Sequence, residues 1–235
     1  MKYIIIMILS LLISSIPDIN TDNITLNYLV RQPKVQSDKP PLLIMLHGMG
    51  SNEKDLFNFA NQMDERFLVI SAQAPYRLGE NSFGWYEVSF PNGKPQINDV
   101  QAEKSSEMLI HFIDQIVEKH KANPEKVYLM GFSQGAIMSF SVGLTRPDKV
   151  SGMACFSGRI LQKTKENISP NKKLKALDVL LVHSTDDNIL NYQYALESQK
   201  VLDRNGIKTQ FITDEVGHSI SQASLGKFKA WLKSK

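Results

Sequence analysis

A chain of 235 residues, 42% of them hydrophobic, is long enough to bury one large core, and a single domain is the simplest division. The formal net charge of +3 comes from lysines scattered along the chain rather than gathered with aromatics into a basic groove, which sets nucleic-acid binding aside. Cys155 is the only cysteine, so an intrachain disulfide is excluded, and its apolar surroundings make it a buried, inert thiol.

The opening residues, MKYIIIMILSLLISSIPDIN, place Lys2 ahead of an apolar run that ends at Ile16 and is closed by Pro17. The run is well short of the ~20 apolar residues a spanning helix needs. Residues 1–16 therefore read as a signal peptide, with export to a periplasm or the exterior as the consequence and an uncleaved N-terminal anchor as the alternative. After processing, no stable membrane span is expected.

A globular domain is expected over 24–235. Apolar runs at 24–30, 42–46 and 67–72 read as strands, several hydrophobic at every position, as happens when both faces of a parallel sheet are covered. The second run leads into His47-Gly48-Met49-Gly50 and a helix expected over 53–63. Residues 73–97 make a connection too long for an ordinary turn, and Tyr76, Phe83, Trp85, Tyr86 and Phe90 within it argue for an ordered, functional loop. Asn98 or Asp99 then caps a helix whose Leu109, Phe112, Ile113, Ile116 and Val117 share one face. A strand at 126–130 runs into the sequence GFSQG, followed by a helix over 134–145 and a strand at 150–156. Lysine-rich residues 158–175 read as a solvated surface excursion. A strand at 178–183, the turn STDDN, a helix over 192–205, a strand at 208–213, the loop EVGHSI and a helix over 219–232 complete the chain. Strand and helix in alternation predict an α/β fold, with a mostly parallel central sheet and helices on both faces.

Gly131-Phe132-Ser133-Gln134-Gly135 between a strand and a helix has the pattern of a nucleophile elbow, in which a strained turn lifts the serine hydroxyl above the sheet edge at a helix N-terminus. That hydroxyl needs a histidine to take its proton and a carboxylate to orient the histidine. Chain order in such a fold, serine then acid then histidine, leaves His183 and His218 of the five histidines. His218 sits between the last strand and the last helix and is the expected base; His183 ends a strand with its carboxylates beyond it and reads as a loop-shaping residue. Asp186 and Asp187 both stand where the acid is needed, whereas Asp214 and Glu215 lie too close to His218 in sequence to reach back without a tight turn. The backbone N–H groups of Gln134 and Met49 are the expected oxyanion donors, with Gly48 and Gly50 permitting the turn. No His/Cys/Asp cluster at ligand spacing calls for a metal, and no cofactor is implied.

The segments LHGMGSNEKDL, GFSQG, STDDN and GHSI resemble the phospholipase/carboxylesterase family, which includes acyl-protein thioesterases and small bacterial carboxylesterases, from about residue 40 to the C-terminus. The resemblance implies an α/β-hydrolase that cleaves carboxylic esters or thioesters of small-molecule or lipid-like substrates through an acyl-serine. Little chain is left for a large cap domain. In the family the acid is an aspartate usually followed by proline, in a pattern like H-G-x-x-D-P; laid on HSTDDN this selects Asp187, with Ser184 in place of glycine and Asn188 in place of proline. The resemblance also implies an aromatic pair beside the cleft, matched here by Trp85 and Tyr86 as substrate-binding residues, core packing being their alternative. Two other functions fit the same residues: an esterase on polysaccharide-linked or polyester substrates, and a non-catalytic binding module on a hydrolase fold.

Overall fold

The computed structural model describes residues 24–235; the leader assigned to residues 1–16 lies outside them. In chain order the strands begin with β1 (Tyr28–Arg31), β2 (Leu42–Leu46) and β3 (Leu68–Ala72). Four short ones follow, β4 (Tyr76–Gly79), β5 (Ser82–Gly84), β6 (Val88–Ser89) and β7 (Gln96–Ile97). The last four are β8 (Val127–Phe132), β9 (Gly152–Phe156), β10 (Asp178–Ser184) and β11 (Lys208–Asp214). The central sheet pairs in the order β1-β3-β2-β8-β9-β10-β11. Only β1 runs antiparallel to its neighbour within this sheet.

The expected strands form, the first only from Tyr28 rather than from residue 24, and the reason is visible in β2. Leu42, Ile44 and Leu46 point to one core and Leu43 and Met45 to the other, so an uninterrupted apolar run serves two buried faces. One face is covered by α2 (Asp99–Lys119), α3 (Gln134–Thr145) and α5 (Gln193–Arg204), the other by α1 (Lys54–Phe57) and α6 (Gln222–Lys233). Helix α2 starts where the Asn98 side chain accepts the Gln101 N–H, and it buries Leu109, Phe112, Ile113 and Ile116 on the expected stripe. Helix α3 is buried from Gln134 through Leu144, which suits a helix apolar nearly all round and wedged between the sheet and α2.

Three segments differ from the sequence expectation. Residues 73–97 fold into two hairpins, β4 with β5 and β6 with β7. The lysine-rich stretch after β9 is not a plain excursion: it carries α4 (Gln162–Glu166) and a 3-10 turn over Lys172–Ala176, and it buries Leu161, Thr164 and Leu174. These anchors are too few and too widely spaced to show a period. The expected helix over 53–63 breaks into the single turn of α1 and a 3-10 turn over Ala60–Gln62. Among the described residues there is no large cap, and no helix is long and apolar enough to cross a membrane.

Candidate active site

The loops that follow β2, β8, β9, β10 and β11 all leave the sheet at its carboxyl edge, and the parallel order gathers them there. Ser133 closes β8 and opens α3. Its φ of 54° and ψ of −117° are strained for a residue with a side chain, and its N–H donates to Phe156 O at 2.9 Å. The two flanking glycines are dictated by backbone contact. A Cβ at Gly135 would lie 1.9 Å from Leu46 O, and one at Gly131 would lie 2.3 Å from Gly135 O. Gly135→Ala should therefore force the elbow off β2, at about 3 kcal/mol and a melting temperature lower by about 6–12 °C. Thermal unfolding that matches the parent would refute this account of the turn.

His218 stands above the elbow. Its Nε2 lies 2.9 Å from Ser133 Oγ and its Nδ1 2.8 Å from Asp187 Oδ2, while its ring leans on Phe132 with centroids 5.0 Å apart. Burial works against charge on Asp187, but the hydrogen bonds from His218 and from the Leu190 and Ile189 N–H groups outweigh it, and the carboxyl is held below its ordinary range. Asp187 is therefore a carboxylate near neutral pH and can only accept. Nδ1–H of His218 must donate to it, which leaves Nε2 free to accept the Ser133 hydroxyl proton. The second carboxylate oxygen is occupied as well: Oδ1 accepts the N–H groups of Ile189 and Leu190, both at 2.9 Å.

The neighbouring aspartate does something else. Asp186 Oδ1 accepts from Ser184 Oγ at 2.7 Å and from Gly217 N–H at 2.9 Å, and Ser184 Oγ in turn accepts the Val216 N–H at 2.7 Å. Asp186 thus ties down the loop that presents His218. His183, fully buried, donates from Nε2 to Leu190 O at 2.7 Å and faces Asp187 Oδ2 at 3.5 Å. Burial pushes its pKa down, so it is a neutral strut of the turn that carries Asp187.

The loop after β2 is braced in the same manner. His47 donates from Nδ1 to Gly48 O at 2.7 Å and accepts the Ala74 N–H on Nε2 at 3.0 Å, which makes it a loop-shaping residue, neutral because burial lowers its pKa. Among the described residues, no hydrogen-bond partner takes up the N–H of Met49 or of Gln134. Met49, Ile189 and Val216 are exposed apolar side chains, one on each of the loops after β2, β10 and β11.

Trp85 and Tyr86 require a correction. The expectation that they bind substrate fails on burial: they are 0% and 1% exposed, inside the main core, and have no surface to offer. Their backbone and ring nitrogen are used instead to frame the site. Trp85 Nε1–H donates to His47 O at 2.9 Å, the Trp85 N–H donates to Gln134 Oε1 at 2.9 Å, and Gln134 Nε2–H donates to Tyr86 O at 2.8 Å. The Gln134 side chain is a functional group that sequence reasoning missed. Its signal was a long polar residue at the head of a helix that is otherwise apolar or small nearly all round.

A mostly parallel sheet with the serine at a strand-to-helix elbow, and with the histidine and aspartate on later loops of the same edge, defines an α/β-hydrolase. Residues 30–235 match the family described as phospholipase/carboxylesterase, and the chain belongs to that family. The probable carboxylesterase SOBER1-like of Arabidopsis thaliana is 27% identical over 206 residues, covering 82% of this chain and 78% of the relative. Acyl-protein thioesterase 1 of Gibberella zeae is 26% identical over 208 residues, covering 81% and 88%. A carboxylesterase from Bacillus cereus shares the fold, with a TM-score of 0.78 at 19% identity over 91% of this chain and 96% of that one. Family membership makes the protein a serine hydrolase of the carboxylesterase and thioesterase type.

Proposed function

We propose that the protein hydrolyses carboxylic esters or thioesters through an acyl-serine intermediate, with Ser133 as nucleophile, His218 as general base and then general acid, and Asp187 as the orienting carboxylate. The observation that carries this reading is the continuous relay from Ser133 Oγ to His218 to Asp187, at 2.9 and 2.8 Å. His218 Nε2 takes the hydroxyl proton as Ser133 Oγ attacks the carbonyl carbon, and the imidazolium so formed is stabilised by Asp187. The proton then passes to the leaving alcohol or thiol. Water, deprotonated by the same nitrogen, releases the acid and restores the serine. The unused N–H groups of Met49 and Gln134 are the donors for the oxyanion, and they cost no reorganisation because the two loops are already braced by His47, Trp85 and the Gln134 side chain. The exposed Met49, Ile189 and Val216 favour an ester with an apolar part, small-molecule or lipid-like.

A fluorophosphonate probe should label Ser133, and p-nitrophenyl esters of increasing acyl length should be turned over. A folded protein that takes no label would retire the proposal, whereas release from feruloyl or acetyl-sugar esters in preference to p-nitrophenyl esters would shift the substrate toward polysaccharide-linked esters. Export belongs to the same reading, supported by Lys2 and the apolar run behind it. Mass spectrometry of the protein recovered from outside the cytoplasm should find a mature N-terminus close to Ile16; an intact Met1 there would favour an anchor.

A further inference from the structure

Arg159 is the feature the triad does not account for. It lies three residues past β9, the strand between those that deliver Ser133 and Asp187. Phe132 and Phe156 are register partners, so the chain at Ser157 leaves the sheet beside Ser133, at the strand spacing of about 4.8 Å. The path onward is held on both sides. Ser157 N–H donates to Val182 O at 2.9 Å, a Cβ on Gly158 would come within 2.6 Å of the Ala136 Cβ in the first turn of α3, and Ile160 N–H donates to Ser198 Oγ at 3.2 Å. Arg159 is thus fixed at the carboxyl edge, on the side of the site where α5 begins. Its guanidinium lies over the Tyr194 ring, 4.7 Å from the centroid.

What sets this arginine apart is the want of an acceptor. Arg31 donates to the carbonyls of Ala60, Phe67 and Asp64, Arg66 pairs with Asp64, Arg146 pairs with Asp148, Arg77 donates to Gly79 O, and Arg204 is exposed to water. Arg159 is part-buried, is in no ion pair or hydrogen bond among the described residues, and has its Nε buried with no partner. A guanidinium has five donors and cannot shed its charge, so holding it half out of water without an acceptor is unfavourable. An oxyanion delivered from outside would supply an acceptor to the terminal Nη groups, the part of the fork that is not buried. The planar fork suits a carboxylate or a phosphate, and the Tyr194 ring 4.7 Å from it closes one side of its approach.

We propose that Arg159 is a specificity residue that pairs with an anionic group, a carboxylate or phosphate, carried by the ester that Ser133 attacks. This rests on the esterase reading above and narrows it to substrates with a negative charge a short distance from the scissile carbonyl. Two matched pairs of esters test it and separate the two possible positions of the charge. Monomethyl adipate against methyl hexanoate puts a carboxylate on the acyl side, and 1-butyrylglycerol 3-phosphate against monobutyrin puts a phosphate on the alcohol side. Acid release is measured for the parent, Arg159→Gln and Arg159→Lys, with rates taken per fluorophosphonate-labelled serine so that misfolded protein does not count.

The parent should favour the anionic member of one pair in kcat/KM by about tenfold or more, and Arg159→Gln should lower that anionic-to-neutral ratio roughly ten- to a hundredfold. Arg159→Lys, which keeps the charge and loses the fork, should fall between them. A parent with no preference in either pair, or a ratio that is unchanged in Arg159→Gln, would overturn the inference while leaving the esterase intact. Folded protein that neither takes the label nor cleaves the neutral esters would bring down the esterase reading, and this inference with it.

Discussion

Ser133→Ala is expected to lower ester hydrolysis by more than ~10³-fold while the fold is kept, because the groups of such a relay act as a unit and its remnant has no nucleophile. The structural cost should be small. Among the described residues the hydroxyl makes one hydrogen bond, with His218 Nε2, and the strained φ of 54° and the Ser133 N–H bond to Phe156 O are as accessible to alanine as to serine. Steady-state hydrolysis of a p-nitrophenyl ester, fluorophosphonate labelling and thermal unfolding on one preparation make the test. The expected result is loss of the first two with the third unchanged, and parent-like turnover would mean that a different group attacks the ester.

Asp187→Asn should be the next most damaging change, at roughly 10³- to 10⁴-fold, because an amide in place of the carboxylate neither stabilises the imidazolium nor holds Nδ1 as the proton-bearing nitrogen. The introduced amide can itself donate to Nδ1 and leave Nε2 protonated, the wrong tautomer for accepting the Ser133 proton. Asp186→Asn should cost far less, since an amide oxygen can still accept from Ser184 Oγ and the Gly217 N–H. Measuring both variants side by side across pH decides between the two aspartates; greater sensitivity at Asp186 would place the acid one residue earlier. A stability consequence follows from the same carboxyl. Its folded pKa lies below the ordinary value, so it contributes stability that is fully present above the unfolded pKa of about 3.9 and is lost as pH falls through the lower folded value. The stability gap between the parent and Asp187→Asn should therefore narrow on acidification in that range.

Most of the framework was legible in the order of residues. A strand buried on both faces must be apolar at every position, so LLIM, VYLM and VLLV marked the sheet. The Gln134–Thr145 helix begins where the expectation put it, because the elbow glycines and the apolar run behind them leave no other register. Chain order narrowed the histidine for Ser133 to His183 or His218, since loops at one edge of a parallel sheet appear in the sequence of their strands, and the place of His218 between the last strand and the last helix chose it.

What the sequence could not determine is which way side chains face when neighbours in sequence are chemically alike. Asp186 and Asp187 share a turn, and only the approach of the loop from Asp214 to His218 gives one to the Gly217 N–H and the other to the imidazole. Trp85 and Tyr86 would stack on a ligand or fill a core with equal ease, because an aromatic ring is apolar in either setting; the hairpins around them and the Gln134 side chain turned them inward. Arg159 carries its meaning in an absence. Of the 24 acidic residues in the chain, none among those described forms an ion pair with it, and that is a property of where the strands and helices put charge in space, to which no local pattern of residues is sensitive.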